Sequence, residues 1–234
     1  TAPPCVTTRL IEDRLQDDGS VQDEWEVMAA TAAAYTGRDF QTTATLNSAV
    51  IQLMQYPLVQ DQVHQEIQAY LRGERLPELE DRDAFPYLEA VIREIMREAN
   101  IYISPDLTLP RRACEVSEYR GMLIPKDTIV FMNTWAILRD ENEYPDPHLF
   151  KPERFLESSQ GKQVLRTNIR DPHDIFFGIG RRSCSGRQLA SDSLWITLAT
   201  LLTVFEIRRP EGVENSDESE SGLIAYATSY NLGN

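Results

Sequence analysis

The most informative part of the sequence is the stretch Phe176-Phe177-Gly178-Ile179-Gly180-Arg181-Arg182-Ser183-Cys184-Ser185-Gly186. An apolar entry leads into a glycine-rich loop, then a cysteine, and then a segment whose apolar periodicity predicts a long helix. A cysteine placed there faces the backbone N–H groups that a helix start leaves unpaired, and the positive end of the helix dipole. Both features stabilise a negatively charged sulfur, so the stretch predicts a reactive thiolate or a metal ligand.

The residues around this cysteine indicate what it faces. Gly180 and Gly186 allow the backbone to bend tightly and to approach a flat ligand. Phe177 is placed to shield the sulfur from water, and Arg182 presents a planar guanidinium that suits a carboxylate. The alternative interpretation is a buried structural cysteine between two ordinary loops.

A second rival is a dinucleotide-binding loop, because Gly178-Ile179-Gly180 opens like the glycine fingerprint that precedes a helix in such folds. The third glycine of that fingerprint would fall on Ser183. Two arginines also crowd the turn, and no strand–helix–strand unit follows it. The sequence therefore argues against nucleotide binding at this loop.

Composition excludes several classes of protein. The sequence has 234 residues, of which 41% are hydrophobic, so it is able to bury a core. Its 23 basic and 37 acidic residues give a net charge of -14, which argues against binding to nucleic acids. No run of about 18 apolar residues exists, so no membrane span is predicted. The three cysteines form no CxxC pair, which argues against a zinc ribbon and a disulfide framework.

Apolar residues recur at helical spacing in four segments, which predicts a helix-dominated fold with a minor sheet. These segments run from about Asp23 to Gln55, from Pro57 through Leu71, from about Pro86 to Glu98, and onward from near Gly186. The buried face of the last helix is predicted to contain Leu189, Leu194, Trp195, Leu198, Leu201 and Leu202.

Strand signals are fewer. Two short apolar runs, Tyr119–Ile124 and Thr128–Met132, flank Pro125-Lys126-Asp127, which predicts a strand, a turn and a strand. Phe205-Glu206-Ile207 is predicted to begin another strand. The range 140–174 is rich in Pro, Asp and Glu and is interpreted as an ordered loop, whereas the acidic range 211–222 is interpreted as a solvated loop.

The pattern Phe-x-x-Gly-x-Arg-x-Cys-x-Gly is matched at every fixed position, by Phe177, Gly180, Arg182, Cys184 and Gly186. With these five residues the chain resembles the cytochrome P450 family, the haem-thiolate monooxygenases. The stretch Leu194-Trp195-Ile196-Thr197 contributes to a resemblance to its fungal, membrane-anchored branch. The resemblance implies the C-terminal half of that fold, which is mainly α with minor β. Its parts are a long central helix, a Glu-x-x-Arg helix, a small β hairpin, and a cysteine loop followed by a long helix.

The resemblance also implies the roles of individual residues. Cys184 would be the axial ligand of the iron in haem b, iron protoporphyrin IX, with Arg182 facing one haem propionate and Phe177, Gly180 and Gly186 lining the cofactor. Arg111 or Arg112 is a candidate partner for the second propionate, and Arg112 is preferred. A solvated arginine is the alternative interpretation of that position.

A buried ionic triad is a further implication of the resemblance. Glu94 and Arg97 form the Glu-x-x-Arg pair, and Arg154 lies in the segment Pro152-Glu153-Arg154-Phe155. The family assigns this triad a structural role, which is to hold the core behind the cysteine loop. One carboxylate is able to accept from two guanidinium groups, and the loss of one member would leave a buried charge unpaired.

Oxygen activation in the family requires a proton relay on the central helix. Asp39 and Thr42 are the candidates for its acid and alcohol, but their spacing departs from the family pattern. Arg38 and Phe40 are bulky for a groove over haem. The segment that follows Arg97 also departs from the pattern, and so does Ser185, which stands where a proline is usual.

The function implied is insertion of one oxygen atom from O2 into a small organic molecule, with electrons from an NADPH-dependent cytochrome reductase. Residues 1–234 would be the C-terminal portion of a single haem-thiolate monooxygenase domain whose N-terminal half is absent. The full-length protein would lie at the cytosolic face of the endoplasmic reticulum membrane, held only through that missing part. Two alternatives remain open: a truncated or degenerate non-catalytic remnant that keeps the haem-ligand loop, and an acidic protein-interaction module.

Overall fold

The structure is a computed structural model that describes residues 5–99, 110–209 and 226–229, without the side chains of 38–41, 99 and 226–229. Its helices are α1 (Val6–Glu12), α2 (Glu24–Gln55), α3 (Pro57–Leu71), α4 (Pro86–Ala99), α5 (Thr134–Ile137), α6 (His173–Phe176) and α7 (Arg187–Val204). Short 3₁₀ helices cover Leu79–Ala84, Pro152–Phe155 and Gly180–Arg182. The prediction of a mainly helical fold with minor sheet is confirmed, and so are the four long helices.

The strands of the described residues form two-stranded antiparallel sheets. They are β1 (Arg111–Arg112), β2 (Ser117–Tyr119), β3 (Met122–Ile124), β4 (Ile129–Val130), β5 (Leu156–Ser159), β6 (Lys162–Leu165), β7 (Phe205–Arg208) and β8 (Tyr226–Ser229). Strand β1 pairs with β4, β2 with β3, β5 with β6, and β7 with β8. The predicted strand at Phe205 is confirmed.

The chain divides into two units. The first, Thr1–Thr43, contains α1 and the first part of α2. An isolated bridge between Leu15 and Val21 closes the loop between these helices. An apolar groove of about 470 Å³, whose lining includes Val27 and Met28, runs along this unit.

The second unit, Ala44–Asn234, contains the main hydrophobic core. The end of α2 and the inner faces of α3, α4 and α7 meet there, and Trp195 stacks on Phe85 with ring centroids 6.0 Å apart. Leu198, like Trp195, is fully buried, and burial of a leucine side chain contributes about 1.5–3 kcal/mol. Leu189 departs from the predicted core, because it lies on the first turn of α7 and is 64% exposed.

A smaller apolar cluster lies on the other side of α4. Ala90 of α4 packs there with Tyr144, Phe155 and Ile175, and Leu138 completes the buried set. Ile175 belongs to α6, which directly precedes the glycine-rich loop. The cluster therefore ties α4 to the segment that leads into Cys184.

Two stretches differ from the sequence prediction. Residues 122–130 do form a strand, a turn and a strand, but β3 turns back onto β2 and β4 pairs with β1. The reason is the turn at Arg120-Gly121, where both residues have positive φ, as the tightest hairpin turns require. The range 140–174 was expected to be a loop, yet it contains the β5–β6 hairpin, whose turn at Gln160-Gly161 has the same positive φ values.

Helix ends are set by specific partners. Pro86 occupies the first turn of α4, where its missing N–H costs nothing. The Glu66 carboxylate of α3 accepts hydrogen bonds from the N–H groups of Tyr87 at 2.8 Å and Leu88 at 3.0 Å, so one helix caps the next. Among the described residues, none of the helices combines the length and apolar character that crossing a lipid bilayer requires.

Candidate functional site

Cys184 lies between the 3₁₀ turn Gly180–Arg182 and α7, for which Gly186 is the N-cap. Its backbone N–H donates to the carbonyl of Phe177 at 2.8 Å, which closes the loop on itself. The thiol is free and exposed. Within the described residues the Cys184 side chain is exposed, unlike in the alternative of a buried cysteine, and it lies two residues before the N-cap of an 18-residue helix.

Gly186 lies beside this sulfur, and Gly180 borders open space. A Cβ atom added at Gly186 would lie 3.9 Å from the Cys184 Sγ, and one added at Gly180 would meet nothing within 4 Å. Gly178 and Gly180 both have positive φ, which is the conformation that lets the loop turn twice within four residues. The Phe177 ring is half-buried and packs edge-on against Phe176, with centroids 5.1 Å apart.

Of the two candidate arginines on β1, one reaches the cysteine loop. The Arg111 Nη2 donates to the carbonyl of Arg182 at 3.2 Å. Arg112 lies 3.6 Å from the Asp127 carboxylate instead, and its side chain is 72% exposed. Neighbouring residues of a strand point to opposite faces, which explains why only one of them meets the loop.

The structure brings Glu94, Arg97 and Arg154 together. The Arg97 Nε and Nη2 each donate to a different oxygen of Glu94 at 2.9 Å, and Arg154 Nε approaches the same carboxylate at 3.2 Å. The backbone N–H of Lys151 adds a donor at 2.8 Å. Glu94 and Arg97 are fully buried, so this carboxylate is matched only by protein donors.

The two arginines also hold backbone that has no regular structure. Arg97 donates to the carbonyls of Leu138 at 3.1 Å and Leu149 at 3.4 Å. Arg154 donates to the carbonyls of Pro145, Asp146 and Leu149. The guanidinium groups thus bind carbonyl oxygens of the segment between α5 and the 3₁₀ helix at Pro152, and among these residues Leu138 is fully buried.

Sequence reasoning missed two members of this cluster, Glu98 and Arg139. The Glu98 carboxylate accepts from Arg97 Nη2 and, at 3.2 Å, from Arg139 Nη2. Burial lowers the pKa of Arg139, and its guanidinium lies over the Trp135 ring, 5.1 Å from the centroid. The signal in the sequence was the set of charged residues at 94, 97 and 98, since positions with this spacing on a helix cannot all face solvent when one side of the helix is buried.

A second polar joint connects α4 to the segment before the loop. Arg93 Nη2 lies 2.9 Å from the Asp171 carboxylate, whose other oxygen accepts from the N–H of His173 at 2.9 Å. His173 packs against Phe177 with ring centroids 4.7 Å apart. Burial lowers the pKa of His173, although the nearby carboxylate of Asp171 partly offsets this.

The candidates for a proton relay belong to the first unit. Thr42 is half-buried on α2, and the side chain of Asp39 lies outside the described residues. The acidic range 211–222 and most of the segment after Arg97 also lie outside them. Within the part of the chain that the structure describes, His, Cys, Asp and Glu side chains do not cluster as a multi-ligand metal site would require.

Comparison with known proteins resolves the family. Residues 10–232 match the family model described as Cytochrome P450. The chain belongs to the cytochrome P450 family. It is 40% identical over 210 residues to a tryptamine 4-monooxygenase of Psilocybe cyanescens, covering 89% of this chain and 40% of that protein.

Other relatives are also fungal cytochrome P450 monooxygenases. Cytochrome P450 monooxygenase claR of Ampulloclitocybe clavipes is 34% identical over 98% of this chain and 42% of its own length. Cytochrome P450 monooxygenase ple1 of Rhodocybe pseudopiperita is 39% identical over 93% of this chain and 40% of its own length. The chain thus spans about two fifths of the length of these relatives.

Cytochromes P450 carry haem, and the residues of the cysteine loop fit that group. The exposed Cys184 thiol, two residues before the N-cap of α7, is a soft ligand of the kind that holds haem iron. Gly180 borders open space through which a flat macrocycle is able to approach the loop, and Arg111 and Arg182 offer cationic partners for propionate groups.

Proposed function

We propose that the full-length protein containing this chain is a haem-thiolate monooxygenase in which Cys184 ligates the iron of haem b. The observation that carries the proposal is the exposed Cys184 thiol at the N-terminus of α7, within a glycine-rich loop tied by the Cys184–Phe177 backbone bond. Residues 1–234 would then form the C-terminal portion of one domain.

Each residue of the loop has a task in this proposal. Cys184 would supply the sulfur ligand, from a position two residues before the N-cap of α7. Phe177 limits the access of water to the sulfur from one side. Arg182 binds one propionate, and Arg111 binds the second, in place of the Arg112 that the sequence favoured, because Arg111 is the one that reaches the loop.

The haem, when bound, supplies dioxygen activation, and the thiolate donates electron density that favours cleavage of the O–O bond. One oxygen atom enters an organic substrate and the other leaves as water, with two electrons and two protons consumed. An NADPH-dependent reductase is the proposed electron donor, and the cytosolic face of the endoplasmic reticulum membrane is the proposed location. Asp39 and Thr42 remain the proposed proton relay.

The test is the reduced carbon monoxide spectrum of the full-length protein, produced with ample haem. We expect the Soret band of a thiolate-ligated complex in the wild type and its loss in Cys184→Ser. Cys114→Ser is the matched control, because Cys114 is likewise free and exposed. A Cys184→Ser protein that retains the thiolate band, or a Cys114→Ser protein that loses it, would refute the assignment.

The same experiment separates the proposal from the alternative of a degenerate remnant, which predicts no haem uptake by the wild type. The complete set of loop residues and the identity to named monooxygenases do not favour the remnant. Tryptamine is a reasonable first compound for a spectral binding titration, because one relative is named for its oxidation.

A further inference from the structure

We infer that Asp171 is a positioning residue for Cys184, and that it acts by clamping the arm of the cysteine loop to α4. The inference rests on the proposed role of Cys184 as the haem ligand. Asp171 does not touch the loop directly. Its effect passes through a contiguous set of hydrogen bonds from α4 to the Cys184 backbone.

The first step is the fork made by the Asp171 carboxylate. One oxygen pairs with Arg93 Nη2 of α4 at 2.9 Å. The other accepts from the N–H of His173 at 2.9 Å, and the Asp171 carbonyl accepts from the N–H of Asp174 at 3.1 Å. Asp171 thus binds α4 through one carboxylate oxygen and binds the first N–H groups of α6 through its other carboxylate oxygen and its carbonyl.

The second step leads from α6 to the sulfur. Helix α6 ends at Phe176 with Phe177 as its C-cap, and the N–H of Gly178 donates to the carbonyl of Ile175 at 3.0 Å. The carbonyl of Phe177 in turn accepts from the N–H of Cys184 at 2.8 Å. The orientation of α6 therefore fixes the acceptor that holds the Cys184 backbone.

Partial burial gives this joint more strength than an ordinary surface pair. The Arg93 side chain is 17% exposed and that of Asp171 is 29% exposed. The neighbouring Arg170 provides the contrast, because it lies 3.8 Å from Glu143 and those side chains are 49% and 39% exposed. Exposed pairs of that kind contribute little to stability.

The test uses the full-length holoprotein and three variants that dissect the fork. Asp171→Asn and Arg93→Gln each remove the ion pair, whereas the asparagine oxygen is still able to accept from the N–H of His173. Asp171→Ala removes both functions of the carboxylate. Arg170→Gln is the control, since it lies next to the fork and removes only the exposed pair.

Two readouts are measured on each variant. Hydrogen exchange of the 173–186 segment reports the loop itself and does not depend on haem ligation. The fraction of thiolate-ligated complex in the reduced carbon monoxide spectrum reports the Cys184 sulfur. We expect the 173–186 segment to exchange about tenfold faster in Asp171→Asn and Arg93→Gln, because the loss of one charged hydrogen bond corresponds to roughly that factor. Asp171→Ala should accelerate exchange further, and exchange in α3 should not change in any variant. The thiolate fraction is expected to fall in the same order.

The results distinguish failure of this inference from failure of the proposed function. If Asp171→Ala exchanges and ligates like Arg170→Gln, the positioning role is wrong. Uniform acceleration across α3 and α7 in Asp171→Ala would also overturn it, since that result indicates a general loss of stability. If Cys184→Ser keeps the thiolate band while the exchange order holds, the haem assignment fails and the clamp on the loop survives.

Discussion

Replacement of Glu94 by glutamine is expected to destabilise the protein by about 3–5 kcal/mol, because it leaves buried arginines with too little negative charge. Glu94 is fully buried and accepts from both Arg97 and Arg154, as well as from the backbone of Lys151. After the change, Glu98 is the carboxylate that still contacts Arg97. The expected cost is a large fraction of a typical domain stability of about 5–15 kcal/mol.

A triple variant tests why the cluster is ionic. Buried ion pairs are often replaceable by apolar residues of similar volume at little cost. Here we expect no such rescue from Glu94→Leu, Arg97→Met and Arg154→Leu together. The two arginines donate to carbonyl oxygens between 138 and 149. The carbonyl of the fully buried Leu138, left without a donor, costs about 1–3 kcal/mol, and the partly exposed carbonyls of Asp146 and Leu149 add less.

The assay is equilibrium unfolding of the full-length protein in urea, followed by circular dichroism and by tryptophan fluorescence to check that the transitions coincide. Glu143→Gln is the control, because its pair with Arg170 is exposed and is expected to contribute about 0–1 kcal/mol. A triple variant clearly more stable than Glu94→Gln would refute the reasoning about the carbonyls. A cost of Glu94→Gln no larger than that of Glu143→Gln would refute the reasoning about charge.

Three further predictions use the same unfolding assay. Burial lowers the pKa of His173 from its ordinary 6.5, so the unfolded state is protonated first as the pH falls. The contribution of neutral His173 to the free energy of unfolding is therefore complete above pH 6.5 and declines below it. His173→Gln should make the free energy of unfolding depend less on pH in that range, and an unchanged pH dependence would contradict the assignment. Glu66→Ala removes the cap of α4 and should cost about 0.5–2 kcal/mol, more than Glu66→Gln, and equal costs would argue against capping. Gly180→Ala, at φ +69°, should destabilise by about 1–2 kcal/mol, whereas Gly37→Ala inside α2 should stabilise by about 0.5–1 kcal/mol, and effects of the same sign would count against the backbone argument.

The long helices were predictable because their apolar spacing records which face is buried. The inner residues of α3 and α4 lie in the core as that spacing indicates. Leu189 shows the limit of the method, because a periodic position at the first turn of a helix is not covered unless another element reaches it. The β5–β6 hairpin was missed since its strands are short and mostly polar, and its Gln160-Gly161 turn is a weak signal.

The part of the candidate site that was predictable from the sequence is the part formed by one local motif. Cys184 and its neighbouring glycines lie within nine positions, 178–186, so their geometry follows from the loop that they form. Arg111 could not be separated from Arg112 without the strand pairing that sets which one faces the loop. Glu98 and Arg139 are 41 positions apart, and only the packed structure shows that the two charges meet.

The side-chain amide of Gln60 connects α3 to strand β7, near the end of the chain. Its nitrogen donates to the carbonyls of Leu53 and Ile207, while its oxygen accepts from the N–H of Ile207 at 2.8 Å. This amide is fully buried on α3. Truncation shortly before position 207 would therefore leave the buried amide of Gln60, 147 positions upstream, without the donor and the acceptor that Ile207 supplies.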